Sequence, residues 1–206
     1  QPRIFTKGQI VYHRSDGADA IWIIRSGWLR LTRHTPDGKE TILGICTAGD
    51  ILGESALNAG AHYTNTAEIL DGPAELLRLP ADRLRHAMRE NAELSTGAIK
   101  VLTERIDRTR LRLEQMSTMN AAQRLGCFLL DLSQNQTEVE IPVEKHIIAA
   151  YLGMKPETLS RSQQQLKSAG VSIHGSQVKF DNLDSLRRFV CSSCPQSGDC
   201  RNEPSG

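Results

Sequence analysis

The sequence predicts an α+β chain: an N-terminal β-roll of the jelly-roll kind, one long helix, and a small helical domain closed by a hairpin. Three observations predict it. Residues 4 to about 80 break into short β-rich runs at evenly spaced turn signals. From Ala81 the apolar period becomes helical, and no proline follows before Pro142. After Asn120 the helical segments are short, and two of them meet at a glycine. With 206 residues, 39% hydrophobic and 24% charged, the chain can bury one good core or two smaller ones, and two compact domains are expected.

Composition removes some function classes. The longest apolar runs, such as Ile21 to Ile24, fall far short of the roughly 18 to 20 residues a membrane span needs, and no basic-then-apolar leader opens the chain. A soluble, cytoplasmic protein is expected. The first residue is Gln1 rather than Met, so a preceding segment is expected too. A net charge of +1 argues neither for nor against a nucleic-acid partner, which leaves the decision to motifs.

The first domain, residues 1–80, carries β-rich runs at Gln9 to His13, Ala20 to Ile24, Trp28 to Arg33, Glu40 to Cys46, Asn65 to Ile69 and Glu75 to Leu79. Asp16-Gly17, Ser26-Gly27, Pro36-Asp37-Gly38, Gly49-Asp50 and Asp71-Gly72-Pro73 punctuate them, at the interval of a small β barrel or roll.

Residues 81–119 read as a helical linker and a dimerisation helix. Ile99, Leu102, Ile106, Thr109, Leu113 and Met116 step by 3, 4, 3, 4, 3, an a/d seam with one polar member. The flanking Lys100, Glu104, Arg105, Asp107, Arg108, Arg110, Arg112 and Glu114 form a solvated charged face. So narrow a stripe suits a two-stranded parallel homodimer better than packing on the chain's own roll.

Residues 120–190 begin with a helix at Ala121 to Ser133 and a polar loop at Gln134 to Glu140. Two short helices follow, Val143 to Leu152 and Pro156 to Ser168, separated by Gly153-Met154-Lys155. A helix-turn-helix needs a small residue where its helices cross, a glycine for a left-handed turn, and an apolar residue on the second helix facing the first. Ala149, Gly153 and Leu159 stand in that register. Pro156 suits the first turn of the second helix. That helix then exposes Glu157, Ser160 and Arg161, where Arg can grip guanine O6/N7 and Glu can accept from cytosine N4. Thr158, Gln164 and Lys167 lie where phosphate contacts are made. Val171 to Ile173 and Gln177 to Phe180 would form the hairpin of a winged helix-turn-helix. Double-stranded DNA is the expected partner.

The tail, residues 191–206, holds Cys191, Cys194 and Cys200 as C-x2-C-x5-C, whereas Cys46 lies in an apolar run and Cys127 on the first helix of the DNA domain. Three thiolates within ten residues can hold an iron–sulfur cluster or a tetrahedral zinc ion, or act as redox thiols.

The order β-roll, dimer helix, winged helix-turn-helix resembles the Crp/Fnr family of bacterial transcription regulators over essentially the whole chain. The matching words in the roll are Gly27 after Ile24-Arg25-Ser26, then Asp37-Gly38-Lys39-Glu40, and Gly49-Asp50-Ile51-Leu52-Gly53-Glu54. In the reader, Glu157-x-x-Ser160-Arg161 looks like the E-x-x-S-R of the Fnr branch. The resemblance implies palindromic sites with TTGAT-like half-sites, contact with RNA polymerase, and no enzymatic activity. In members that bind cyclic nucleotides an Arg follows the Gly-Glu and neutralises the phosphate. That position falls here at about Tyr63, so no cyclic nucleotide site is expected. One branch of the family carries a C-terminal C-x2-C-x4-C that binds a [4Fe-4S] cluster, with an aspartate of the dimer-helix region as fourth ligand. The tail here resembles that motif with one extra residue in the second gap, which makes Asp107 the family-guided fourth ligand and Cys127 the chemical alternative. Sensing of oxygen, nitric oxide or redox state through such a cluster is the expected function. The alternatives are a haem-based gas sensor drawing on His13, His34, His62, His86, His146 or His174, or a zinc- or ligand-binding module with an idle DNA domain.

Overall fold

The computed structural model describes residues 2–192. The chain divides into two compact units between Val101 and Leu102, inside one continuous helix.

The first unit is an antiparallel sheet of six strands: β1 (Pro2–Phe5), β2 (Ile10–Tyr12), β3 (Ala20–His34), β4 (Glu40–Cys46), β5 (Ile51–Leu52) and β6 (Thr66–Pro80). The ladder runs β1-β6-β3-β4, with β2 also on β6 and β5 also on β3. The structure corrects three readings of this stretch. β1 lies ahead of the first expected strand, and the paired runs at 20–24 and 28–33, and at 65–69 and 75–79, are not separate strands. They fuse into two 15-residue strands that pair along most of their length. Ser26-Gly27 is a bulge rather than a turn, since pairing with β6 shifts register there and then resumes. Gly27 has φ +95°, and a Cβ on it would lie 2.4 Å from the Cβ of Ala74 on the facing strand. Only glycine lets the two strands close at this point.

Ile24, Leu29, Leu52, Ile69 and Leu76 form the fully buried centre of the roll, each stabilising it by about 1.5 to 3 kcal/mol through removal of apolar surface from water. Cys46 is buried in the same cluster. Helix α1 (Ala81–Glu90) follows, and Asn91 leaves helical geometry at φ −129°. The Asn91 side chain accepts the amide of Leu94 at 3.1 Å and so opens helix α2 (Ala92–Thr118).

The second unit contains the C-terminal half of α2, then α3 (Ala121–Ser133), β7 (Glu138–Glu140), α4 (Lys145–Tyr151), α5 (Pro156–Lys167), β8 (Val171–His174), β9 (Gln177–Phe180) and α6 (Leu183–Cys191). Two further readings are corrected here. The polar loop at 134–140 ends in β7, which pairs with β9 so that the hairpin becomes a three-stranded sheet ordered β7-β9-β8. The stretch before the tail is helix α6, whose first amides, Asp184 and Ser185, are capped by Asn182 Oδ1 at 2.8 and 3.3 Å. Leu125, Leu129, Leu130, Leu159, Leu166, Val171 and Leu186 are its fully buried centre. No helix among the described residues is long and apolar enough to cross a membrane.

Candidate nucleic-acid interface

Helix α4 buries Ile147, Ile148 and Ala149, and Ala149 is fully enclosed where α5 packs on it. The helix ends in a Schellman closure. The amide of Met154 donates to Ala149 O at 2.9 Å and that of Gly153 to Ala150 O at 3.2 Å, with Gly153 left-handed at φ +65°. A side chain with a Cβ would be strained at that φ, which is the physical content of the glycine in the motif.

Pro156 then occupies the first turn of α5, where its missing N–H leaves no bond unmade. Leu159, Ser162 and Leu166 are buried along one side of α5. Glu157, Ser160, Arg161 and Gln164 fall on the opposite side at 3.6-residue spacing, and all four are exposed. Lys167 is exposed at the end of the helix, while Thr158 is half-buried and accepts the hydroxyl of Ser162 on its carbonyl at 2.9 Å. Ser160 donates its hydroxyl to Pro156 O at 3.2 Å, which keeps its lone pairs outward. Among the described residues the side chains of Glu157, Arg161, Gln164 and Lys167 have no ion-pair or hydrogen-bond partner, so their full polar capacity faces outward. The β8–β9 hairpin turns at Gly175-Ser176 and is held to β7 by Lys179 to Glu138 at 3.2 Å and Ser176 to Glu140 at 3.1 Å.

The candidate seam of α2 is equally plain in exposure. No residue of this 27-residue helix is buried, and Ile99, Ile106, Leu113 and Met116 are 62%, 50%, 63% and 48% exposed. Leu102 is half-buried, and Thr109 is exposed with its hydroxyl turned back to Arg105 O at 2.8 Å. The expectation that all the flanking charges are solvated is corrected at three positions, since Glu104, Arg105 and Arg112 are half-buried. Arg112 is half-buried against α4, stacked over the ring of Tyr151.

The candidate metal ligands are only partly described. Cys191 is the last residue of α6 and half-buried, and Cys194 and Cys200 lie outside the described residues. Asp107 is exposed on α2 and paired with Arg110 at 3.3 Å. Cys127 is half-buried on α3, where its sulfur accepts from Gln115 Nε2 at 3.1 Å. Among the described residues no three His, Cys, Asp or Glu side chains stand close enough to hold a metal ion. His13, His34, His62, His86, His146 and His174 are all exposed.

In the roll, Tyr63 occupies the position expected for a phosphate-binding arginine and is buried. Its hydroxyl donates to Ala20 O at 2.8 Å and accepts the Ala20 amide at 3.2 Å, while its ring stacks on Tyr12 at 3.9 Å. Burial pushes the Tyr63 hydroxyl above its ordinary pKa, so it stays a neutral donor. Tyr12 in turn donates to Asn65 Oδ1 at 3.1 Å.

Sequence reasoning missed the residues that assemble this domain. Gln123 forms a capping box with Asn120: its amide donates to Asn120 Oδ1 at 3.0 Å, and its side-chain oxygen accepts the Asn120 amide at 3.1 Å. Its Nε2 also reaches Phe189 O at 3.4 Å and Ser192 Oγ at 3.3 Å, tying the start of α3 to the end of α6. The Asn-x-x-Gln spacing was a readable signal for the first half of this role. Nothing local announced the second.

Comparison with known proteins follows the same division. A family model for the cyclic nucleotide-binding domain matches residues 2–91, and one for the Crp-like helix-turn-helix domain matches residues 123–189. The chain is 26% identical over 197 residues to the fumarate and nitrate reduction regulatory protein of Escherichia coli K12, spanning 89% of this chain and 76% of that one. It is 30% identical to a regulatory protein of Silicibacter pomeroyi DSS-3, described provisionally as cAMP-binding, with a TM-score of 0.73 over 92% of this chain and 86% of the other. FixK2 of Bradyrhizobium japonicum shares the fold at a TM-score of 0.82 over 91% and 96% of the two chains, with 19% identity.

Proposed function

Because the chain belongs to the Crp/Fnr family of DNA-binding transcription regulators and is not an enzyme, we propose that it reads palindromic DNA as a homodimer and reports oxygen, nitric oxide or redox state through an iron–sulfur cluster on its C-terminal thiols. The observation that carries the DNA reading is the exposed face of α5, with Glu157, Ser160 and Arg161 projecting from a helix anchored by Leu159 and Leu166. In the major groove Arg161 grips guanine O6/N7, Glu157 accepts from cytosine N4, and Thr158, Gln164 and Lys167 lie toward phosphates. TTGAT-like half-sites contain the bases these side chains pair with, and RNA polymerase is the partner that turns binding into regulation.

Two recognition helices can dock together only if the half-sites lie about one helical turn apart, so the reader needs a second copy. The exposed apolar stripe of α2 supports that assembly. The thiol chemistry of the tail suits an iron–sulfur cluster, which when bound supplies a centre reactive to oxidants and nitric oxide. Cys191, Cys194 and Cys200 would hold it. For the fourth ligand, Asp107, exposed on α2 and paired with Arg110, is the first candidate, and Cys127, half-buried on α3 with Gln115 on its sulfur, is the alternative. Cyclic nucleotide has no place in this reading, because a phosphate at Tyr63 would meet a buried phenol in place of a cation.

Fluorescence anisotropy on a TTGAT-N4-ATCAA duplex tests the reader. Wild type should bind it far more tightly than a scrambled duplex, and Arg161→Ala should lose about 1 to 3 kcal/mol per half-site while remaining folded. Unchanged affinity at fixed salt removes the assignment. For the sensor, wild type, Cys194→Ser and Cys127→Ser are reconstituted without oxygen and compared for iron and sulfide. Equal content in wild type and Cys194→Ser, or zinc without sulfide, removes the cluster.

A further inference from the structure

A helix such as α2 can carry a dimer, but something must hold the reading domain at a set angle to it. Arg112 reaches α4 from the last turns of α2. Its guanidinium carbon lies 3.7 Å from the centre of the Tyr151 ring, and one of its nitrogens donates to the backbone carbonyl of Tyr151. Tyr151 ends α4, one of the helix-terminal positions whose carbonyls find no amide within the helix. The Schellman closure takes the carbonyls of Ala149 and Ala150, and Arg112 meets that of Tyr151. The Tyr151 ring packs in turn on Phe128 of α3 at 5.6 Å. Gln115 and Met116, one turn further along α2, touch Cys127 at 3.1 Å and the turn glycine Gly153. One side of α2 thus reaches α3, α4 and the turn that launches α5.

We propose that Arg112 is a positioning residue for DNA reading: it fixes the angle of the helix-turn-helix to the dimer helix, and with it the half-site spacing the dimer accepts. The inference rests on the dimeric reading above. Arginine suits the task because a flat guanidinium can stack on a ring and donate in its own plane at once, which a lysine ammonium cannot do. Both contacts are to Tyr151 and neither involves Glu157, Ser160, Arg161 or Gln164, so the proposed role is one of geometry and not of base contact.

The experiment measures the affinity of the full chain for duplexes carrying the same half-sites at spacers of three, four, five and six base pairs. Wild type should prefer one spacer. Arg112→Gln should bind that spacer about tenfold more weakly and show a flattened preference. Arg112→Lys should fall between the two. Tyr151→Phe, which keeps the ring and the carbonyl, should match wild type, and Tyr151→Leu should behave as Arg112→Gln. Arg161→Ala is the contrasting control, lowering affinity at every spacer without changing their ratio. Melting temperature and dimer mass establish that each variant is folded, and Tyr151→Leu carries the test should Arg112→Gln fail to fold. A wild-type spacer ratio in folded Arg112→Gln or Tyr151→Leu overturns the inference and leaves the DNA reading intact. A wild type that binds none of the duplexes overturns both.

Discussion

Helices α2 and α3 follow one another across Met119 and Asn120, yet they treat their apolar residues in opposite ways. The 27 residues of α2 include none that is buried, whereas the 13 of α3 include Ala122, Gln123, Leu125, Gly126, Leu129, Leu130 and Ser133, all buried. The difference is one of content as well as of pattern, since 8 of the 13 residues of α3 are apolar against 10 of the 27 of α2. On α3 the apolar positions spread over a broad face that α5, α6 and β7 cover. On α2 the candidate seam is only two residues wide per heptad, flanked by charge, and among the described residues its Ile99, Ile106 and Leu113 stay at least half exposed. A narrow stripe of that kind suits the proposed dimer, in which a second α2 would be its complement.

The largest effect expected from breaking this contrast comes from Ile106→Glu with Leu113→Glu. Four carboxylates would meet across the proposed seam, so sedimentation should report monomer at micromolar concentration and specific DNA binding should vanish. A persistent dimer places the interface elsewhere. Next in size is Leu129→Ala on α3, expected to cost about 2 to 5 kcal/mol of unfolding free energy through lost burial and a residual cavity. Ile106→Ala on α2 should instead leave unfolding of the isolated chain nearly unchanged and appear as weaker dimerisation. Comparable losses in unfolding experiments at a concentration where both are monomeric would erase the distinction. A smaller effect, about 1 kcal/mol, is expected for Asn120→Ala, which removes the cap that starts α3. Thr109→Leu sharpens the contrast in the other direction. Filling the polar position of the seam should tighten the dimer by about 1 kcal/mol, read as a shift in its dissociation midpoint.

Much of the DNA-reading domain was legible because its signals are local. Asn120 and the apolar period fix Ala121–Ser133 to the residue, and Ala149, Gly153, Pro156 and Leu159 place the turn and the exposed face. The roll was less legible where pairing spans the chain. Ser26-Gly27 reads as a turn until β6 is seen running past it, because a bulge and a turn share the same glycine. Helix α6 has its own start signal in Asn182, but its packing on α3 through Leu186 and Val190 is a long-range contact that no local pattern announces. Arg112 could not have been read at all. Its partner is 39 residues away, and a charged residue on an amphipathic helix looks solvated until the neighbouring domain is in place.

Gly126 carries a different kind of consequence. A Cβ there would lie 2.7 Å from Val190, 3.2 Å from Leu186 and 3.3 Å from Leu166, so α3, α5 and α6 converge on a hydrogen atom. The close packing of α6, and behind it of α5, on α3 therefore depends on leaving a methyl group out. Alanine already demands that Val190 of α6 shift, and a larger residue would press on Leu186 and on Leu166 of α5 as well. The exposed positions 157, 160 and 161 touch nothing in this socket, so they can change without disturbing the packing beneath them.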